Sequence, residues 1–132
     1  MAVVALDTQT FEDTITSNPF VIVDFWAPWC GPCRSFAPVY DKVSADFADI
    51  VFAKVNTEEA QEIAAHFQIR SIPTLMIFRD QVQIFSQAGA LPEGQFRDLI
   101  GKASALDMAE IKRQIAAEQA GDETLDPSGG TA

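Results

Sequence analysis

An α/β layer domain with a central mixed sheet is the fold class this sequence predicts, and three observations predict it. Strand-like and helix-like segments alternate in the order β-α-β-α-β-α-β-β-α. Residues 20–25 (FVIVDF) are nearly all apolar and rich in β-branched side chains, as a strand buried on both faces should be. Residues 74–78 and 82–85 flank a tight turn and read as a hairpin, which adds antiparallel strands to a parallel strand–helix–strand core.

The elements follow in order. Residues 3–6 are a short apolar run suited to an edge strand. Asp7 or Thr8 can cap a short helix reaching about Thr16, and Ser17, Asn18 and Pro19 make a turn. Beyond the strand at 20–25, Phe36, Val39, Tyr40, Val43 and Phe47 fall on one helical face. Pro38 lies within that helix and is expected to kink it. Residues 50–55 read as the next strand and 59–67 as a short helix. After the hairpin, Pro92 suits the first turn of a helix whose inner face carries Phe96, Leu99, Ile100 and Ala103. Residues 1–105 thus form a single domain, and residues 106–132 stand apart. Asp107 and Glu110 have capping-box spacing, Met108, Ile111 and Ile115 give a thin apolar stripe, and Gly121 can end the helix. The remainder, GDETLDPSGGTA, is polar and breaker-rich and reads as a disordered acidic tail.

Composition narrows the function. With 132 residues and 48% apolar side chains, the chain can build one core but not two. Its net charge of −10 argues against nucleic acid and against anionic membrane surfaces, and is read as serving solubility. No apolar run approaches the roughly 20 residues that span a bilayer. The opening MAVVALD holds no Lys or Arg and soon meets an acid, so it does not read as a signal peptide, and a cytoplasmic location is expected. Two cysteines are too few for a disulfide scaffold. With the single His66 they are one ligand short of a Cys/His zinc site, so no metal is expected. His66 itself reads as a partly buried helical residue.

The chemistry concentrates in Trp29-Cys30-Gly31-Pro32-Cys33, between a buried strand and an amphipathic helix. A thiol is a nucleophile only as thiolate. A cysteine at a helix N-terminus faces unpaired N–H groups and the positive end of the helix dipole, which favour the anion. Cys30 takes that place and should be the exposed, reactive thiol. Cys33, about one turn further in, should be shielded yet close enough to attack Cys30 in a mixed disulfide and expel the reduced substrate. Asp24 is the lone charge in an apolar strand, where burial raises a carboxyl's pKa and where perturbed groups often mark functional sites. It could take the proton of Cys33. Lys54 is the parallel oddity in VFAKV and either pairs with Asp24 or snorkels to solvent. Pro73 stands at the start of a strand, where a proline often marks a special turn.

A C-x-x-C pair beside a βαβ pattern is a recognised signature of thioredoxin-like redox proteins, and at these residues the chain resembles the thioredoxin family. Asp24-Phe25-Trp26, the WCGPC core, Pro38, Lys54, Ile72-Pro73-Thr74 and Gly89 stand in that family's order and spacing over roughly residues 1–105. The resemblance implies the thioredoxin fold, a central mixed sheet flanked by helices, and protein-disulfide reductase activity. It implies that Cys30 is the attacking nucleophile and Cys33 the resolving thiol, with Asp24, assisted by Lys54, managing the proton of Cys33. It further implies that Pro73 is cis and faces the dithiol, and that Trp29, Gly31, Pro32, Ile72, Pro73, Gly89 and Ala90 form the surface that receives substrate. No cofactor is implied beyond the redox-active Cys30–Cys33 disulfide. The implied partners are client proteins with disulfides and a thioredoxin reductase drawing on NADPH. The chain has no glycine-rich nucleotide fingerprint, so that reductase is a separate protein. A monomer is expected.

Two other readings compete. One is a chaperone-like or assembly module using the fold as a platform, but such relatives often lose the cysteines or add helical repeats. The 27 residues after Ala105 are fewer than the roughly 34 of one tetratricopeptide unit. The other is a disulfide oxidase or isomerase, whose relatives tend to carry His between the cysteines, where this chain has Gly31-Pro32. Two features depart from the family pattern: Asp80-Gln81 in the hairpin turn, where a glycine is common, and the extension after 105.

Overall fold

The computed structural model describes residues 3–125. Its strands are β1 (Val3–Leu6), β2 (Phe20–Trp26), β3 (Val51–Asn56), β4 (Thr74–Arg79) and β5 (Val82–Ala88). Its helices are α1 (Phe11–Ser17), α2 (Gly31–Ser44), α3 (Gln61–His66), α4 (Glu93–Ala105) and α5 (Met108–Leu125). The strands form one sheet in the order β1-β3-β2-β4-β5. β1, β3 and β2 run parallel, while β4 is antiparallel to β2 and to β5. The mixed sheet expected from the alternation is therefore present.

β2, apolar except for Asp24, lies at the centre because both of its faces are covered. Successive strand side chains point to opposite faces. Val21, Val23 and Phe25 enter a core with Phe11 and Ile15 of α1, Ile63 of α3 and Phe78. Ile22 enters the other core, where Phe36 and Tyr40 of α2 meet Phe52, Phe96 and Ile100. Tyr40 stacks on Phe96 with ring centroids 5.7 Å apart, and its hydroxyl bonds the carbonyl oxygens of Ile22 and Ala53 at 2.9 and 2.7 Å. Asp24 alternates with Val23 and so shares a face with Ile22. That parity turns the one buried acid of β2 toward α2, the helix that carries the cysteines.

Several boundaries differ from the sequence reading, each for a local reason. The Asp7 carboxylate accepts the N–H groups of Gln9 and Thr10, both at 2.9 Å, and the Thr10 hydroxyl at 3.0 Å. That turn occupies residues 7–10, so α1 begins only at Phe11. α2 ends at Ser44, leaving Phe47 in the following turn but still packed on the core. β5 extends to Ala88 because Ser86, Gln87 and Ala88 pair with β4 although they lack the apolar alternation that marks a strand. His66 is exposed, not partly buried, because it closes the short α3 edge-on to Phe67. α5 continues through Gly121 to Leu125, so residues 121–125 are helical where a tail was expected. A glycine inside a helix costs only about 1 kcal/mol unless it adopts a left-handed cap. The rest of the expected tail, residues 126–132, lies outside the described residues.

α5 docks at the end of the sheet marked by the β4–β5 turn. Met108 is buried, Ile111 and Ile115 are half-buried, and Lys112 Nζ lies 3.2 Å from Asp80 Oδ2. The turn residues Asp80 and Gln81 both have positive φ, 52° and 71°. Two left-handed residues give the backbone twist a two-residue hairpin needs.

Candidate redox site

β2 ends at Trp26, and residues 27–29 carry the chain to α2, where Cys30 is the N-cap with extended backbone (φ −88°, ψ 113°). Cys30 and Cys33 are joined as a disulfide, with Cα atoms 5.3 Å apart. The backbone N–H of Cys33 donates to Cys30 Sγ at 3.2 Å. One of the free donors of the helix N-terminus is thus spent on the outer sulfur, where it would stabilise a thiolate. Pro32 stands in the first turn, where its missing N–H costs nothing. Cys30 itself is only 4% exposed, against 2% for Cys33. The expectation of an exposed Cys30 is corrected: the disulfide cysteines form a buried cluster with Ala27, against which Trp26 and Ile72 pack. What surrounds Cys30 is open, since Trp29, Gly31 and Pro32 are all exposed, Trp29 at 65%.

Opposite this helix start lies the loop before β4. The Ile72–Pro73 bond is cis. The carbonyl oxygen of Ile72 lies 3.7 Å from Cys30 Sγ, and the Ile72 side chain packs against the cluster that Ala27 forms with the cysteines. Gly89 donates its N–H to the Pro73 carbonyl at 2.7 Å. Its φ of 103° is a conformation that side-chain-bearing residues rarely adopt, which is why a glycine sits there. Ala90 follows, exposed. Ile72, 42 residues from Cys30, is thus brought against it, and Gly89 is tied to the neighbouring Pro73.

Asp24 lies behind the pair. It is 4% exposed, and its Oδ1 has no hydrogen-bond partner. Burial pushes its carboxyl up to about 7, with Lys54 pulling the other way. Asp24 and Lys54 are register partners across β2 and β3. Of the two alternatives for Lys54, a direct ion pair with Asp24 is not formed: Lys54 Nζ sits over the Trp26 ring, 5.2 Å from its centroid. Asp24 and Cys33 both line a cavity of about 90 Å³, walled also by Trp26, Arg34, Tyr40 and Lys54. Its volume is enough to hold water beside both groups.

Two contributors escaped the sequence reading. Trp29 Nε1 donates to the Glu58 carboxylate, which anchors an otherwise exposed ring. Glu58 is set by a turn in which Asn56 Oδ1 accepts its N–H at 2.9 Å and Thr57 bonds the Trp26 carbonyl. Tyr40 was read only as an apolar-face residue, yet it also walls the cavity. No local pattern signals either contact, because each joins segments far apart in sequence.

The Thioredoxin family model matches residues 2–102. The chain belongs to the thioredoxin family. It is 52% identical over 117 residues to a Streptomyces coelicolor protein assigned as thioredoxin 2, covering 89% of this chain and 87% of that one. It is 42% identical over 103 residues to thioredoxin 1 of Synechococcus elongatus, covering 77% of this chain and 96% of that one. Among solved structures, Plasmodium falciparum thioredoxin superposes with a TM-score of 0.71 at 33% identity, covering 75% of this chain and 97% of the other. Thioredoxins are thiol–disulfide oxidoreductases working through a redox-active disulfide, and this chain, with Cys30–Cys33, is a thioredoxin-type disulfide reductase. Among the described residues, no group of three or more His, Cys, Asp and Glu is placed to hold a metal, and no helix is long and apolar enough to cross a membrane.

Proposed function

We propose that the protein reduces client disulfides in two exchanges with fixed roles for its cysteines. The Cys30 thiolate attacks one sulfur of the client disulfide, forming a mixed disulfide and releasing the other client sulfur as thiolate. Cys33 then gives up its proton to Asp24, directly or through water in the cavity that both line. The resulting thiolate attacks Cys30 Sγ, so the Cys30–Cys33 bond forms and the client leaves with two electrons and both thiols reduced. The observation that carries this order is the Cys33 N–H donated to Cys30 Sγ at the start of α2. A carboxyl titrating at about 7 is matched to proton transfer near neutral pH. Lys54, through its charge, keeps Asp24 from being still harder to ionise.

Trp29, Gly31, Pro32, Ile72, Pro73, Gly89 and Ala90 are the client-binding surface in this account. Residues 1–105 carry the activity, and the remainder is an appended helix and tail. A separate thioredoxin reductase returns electrons from NADPH, so the protein serves electron transport to disulfides and cell redox homeostasis. It acts in the cytoplasm as a monomer. The test is a coupled assay with NADPH, a thioredoxin reductase and insulin. NADPH oxidation that requires all components supports the account. No insulin reduction by a folded protein whose disulfide the reductase does reduce would overturn it.

A further inference from the structure

The client-binding segment Gly89–Ala90 leads through Leu91 and Pro92 into α4. That helix starts without a side-chain cap, because its N-cap is Pro92. Its first-turn N–H groups therefore lack the side-chain partner that usually fixes a helix start. A different device holds that turn. Glu93, the first residue of α4, receives Lys42 Nζ of α2 on Oε1 at 3.1 Å and Arg97 Nε on Oε2 at 2.9 Å. Arg97 in turn reaches Asp46, just past α2, with Nη2 2.8 Å from Oδ2. The four charges alternate in sign and bridge two helices. Glu93 and Arg97 are each about one-third exposed, so the inner pair is less screened than an ordinary surface pair. Lys42 and Arg97 hold the Glu93 carboxyl below its usual range, and Asp46 and Glu93 push the Arg97 guanidinium up. Lys42, in the half of α2 beyond Pro38, and Asp46, just past that helix, both lie away from the cysteines in sequence.

We infer that Glu93, held by Lys42 and Arg97, is a positioning residue that fixes segment 89–92 against α2 and so sets how well protein clients seat beside Cys30. The inference rests on Gly89 and Ala90 forming part of the client surface. The segment is pinned at one end by the Gly89 N–H to Pro73 bond. The charged bridge pins the other end in place of a helix cap. Loosening it leaves the dithiol, Asp24 and the cavity unchanged, since none of the four residues touches them. The loss therefore falls on extended clients, which contact the segment, and spares small disulfides, which need only Cys30.

The experiment compares the full-length protein with Glu93→Gln and Lys42→Met, using NADPH and a thioredoxin reductase as electron source. Glu93→Gln should raise KM for insulin about threefold, in line with losing two partly exposed ion pairs, with kcat held. Its rate with a small aryl disulfide should not move. Lys42→Met should do the same to a smaller degree. High salt should raise the KM of the unmodified protein toward that of Glu93→Gln and leave the variant unaffected. Hydrogen exchange at Gly94 and Gln95 should quicken in the variant, reporting a looser first turn. An unchanged KM, or equal slowing of insulin and the small disulfide, overturns the inference. Ala90→Arg separates it from the surface reading beneath it. If Ala90→Arg raises KM for insulin and Glu93→Gln does not, only the positioning role falls. If Ala90→Arg has no effect on KM, the surface assignment fails and takes the positioning role with it.

Discussion

Replacing Asp24 with asparagine should stabilise the folded protein by an amount that grows with pH. Burial holds the Asp24 carboxyl protonated up to about 7, against 3.8 for an unperturbed aspartate. Between those values the folded state binds more protons than the unfolded state, so stability falls as pH rises. Below 3.8 the carboxyl is neutral in both states and imposes nothing. Above about 7 it is charged in both, and the folded state carries the full penalty. At about 1.36 kcal/mol per pH unit, the window from 3.8 to about 7 amounts to about 4 kcal/mol. Asparagine is close in shape and never ionises, so its variant lacks this slope. Denaturant unfolding of the oxidised wild type and Asp24→Asn from pH 4 to pH 8.5 measures the effect, and the other carboxylates cancel in the difference. The variant's advantage should be smallest at pH 4 and grow by about 3–4 kcal/mol toward pH 8. A difference that does not change with pH would refute the reasoning. In stopped-flow exchange, the same variant should slow the resolving step between pH 6 and pH 8 and leave the attack by Cys30 intact.

Two further outcomes concern regions away from the redox site. Gln81→Gly should raise stability by about 1 kcal/mol, because φ of 71° is unfavourable for a residue with a side chain and free for glycine; a lower unfolding midpoint in denaturant would contradict this. Removing residues 106–132 takes away the buried Met108 and the Lys112–Asp80 pair, so the thermal midpoint should drop by a few degrees, while insulin reduction stays near normal. Loss of most activity in a truncated protein that still folds would place the extension within the active unit.

How much of this could be read from the chain depended on how local each signal is. β2 was legible because a strand buried on both faces must be apolar throughout, and Asp24 stood out against that background. Cys30 and Cys33 were legible because a strand, a proline-bearing turn and an amphipathic helix surround them. The sheet order β1-β3-β2-β4-β5 was not, since pairing between distant segments leaves no trace in periodicity. The same holds for Glu58 binding Trp29. α1 began later than expected because Asp7 spent its carboxylate on a turn, and a capping residue looks the same in sequence either way. Cys30 was shielded more than expected because Ile72, 42 residues away, folds over it.

The division of labour between the two cysteines is the centre of the account, and single substitutions test it most directly. In Cys33→Ser, Cys30 keeps its place at the N-terminus of α2 and still attacks client disulfides. The mixed disulfide then has no fast intramolecular exit. The measurement is the yield of covalent complexes with client proteins on non-reducing gels, for Cys33→Ser and Cys30→Ser side by side. Cys33→Ser should accumulate complexes that vanish on adding dithiothreitol, and Cys30→Ser should give neither complexes nor turnover. Equal trapping by the two variants, or activity retained in Cys30→Ser, would contradict the assignment of Cys30 as the nucleophile.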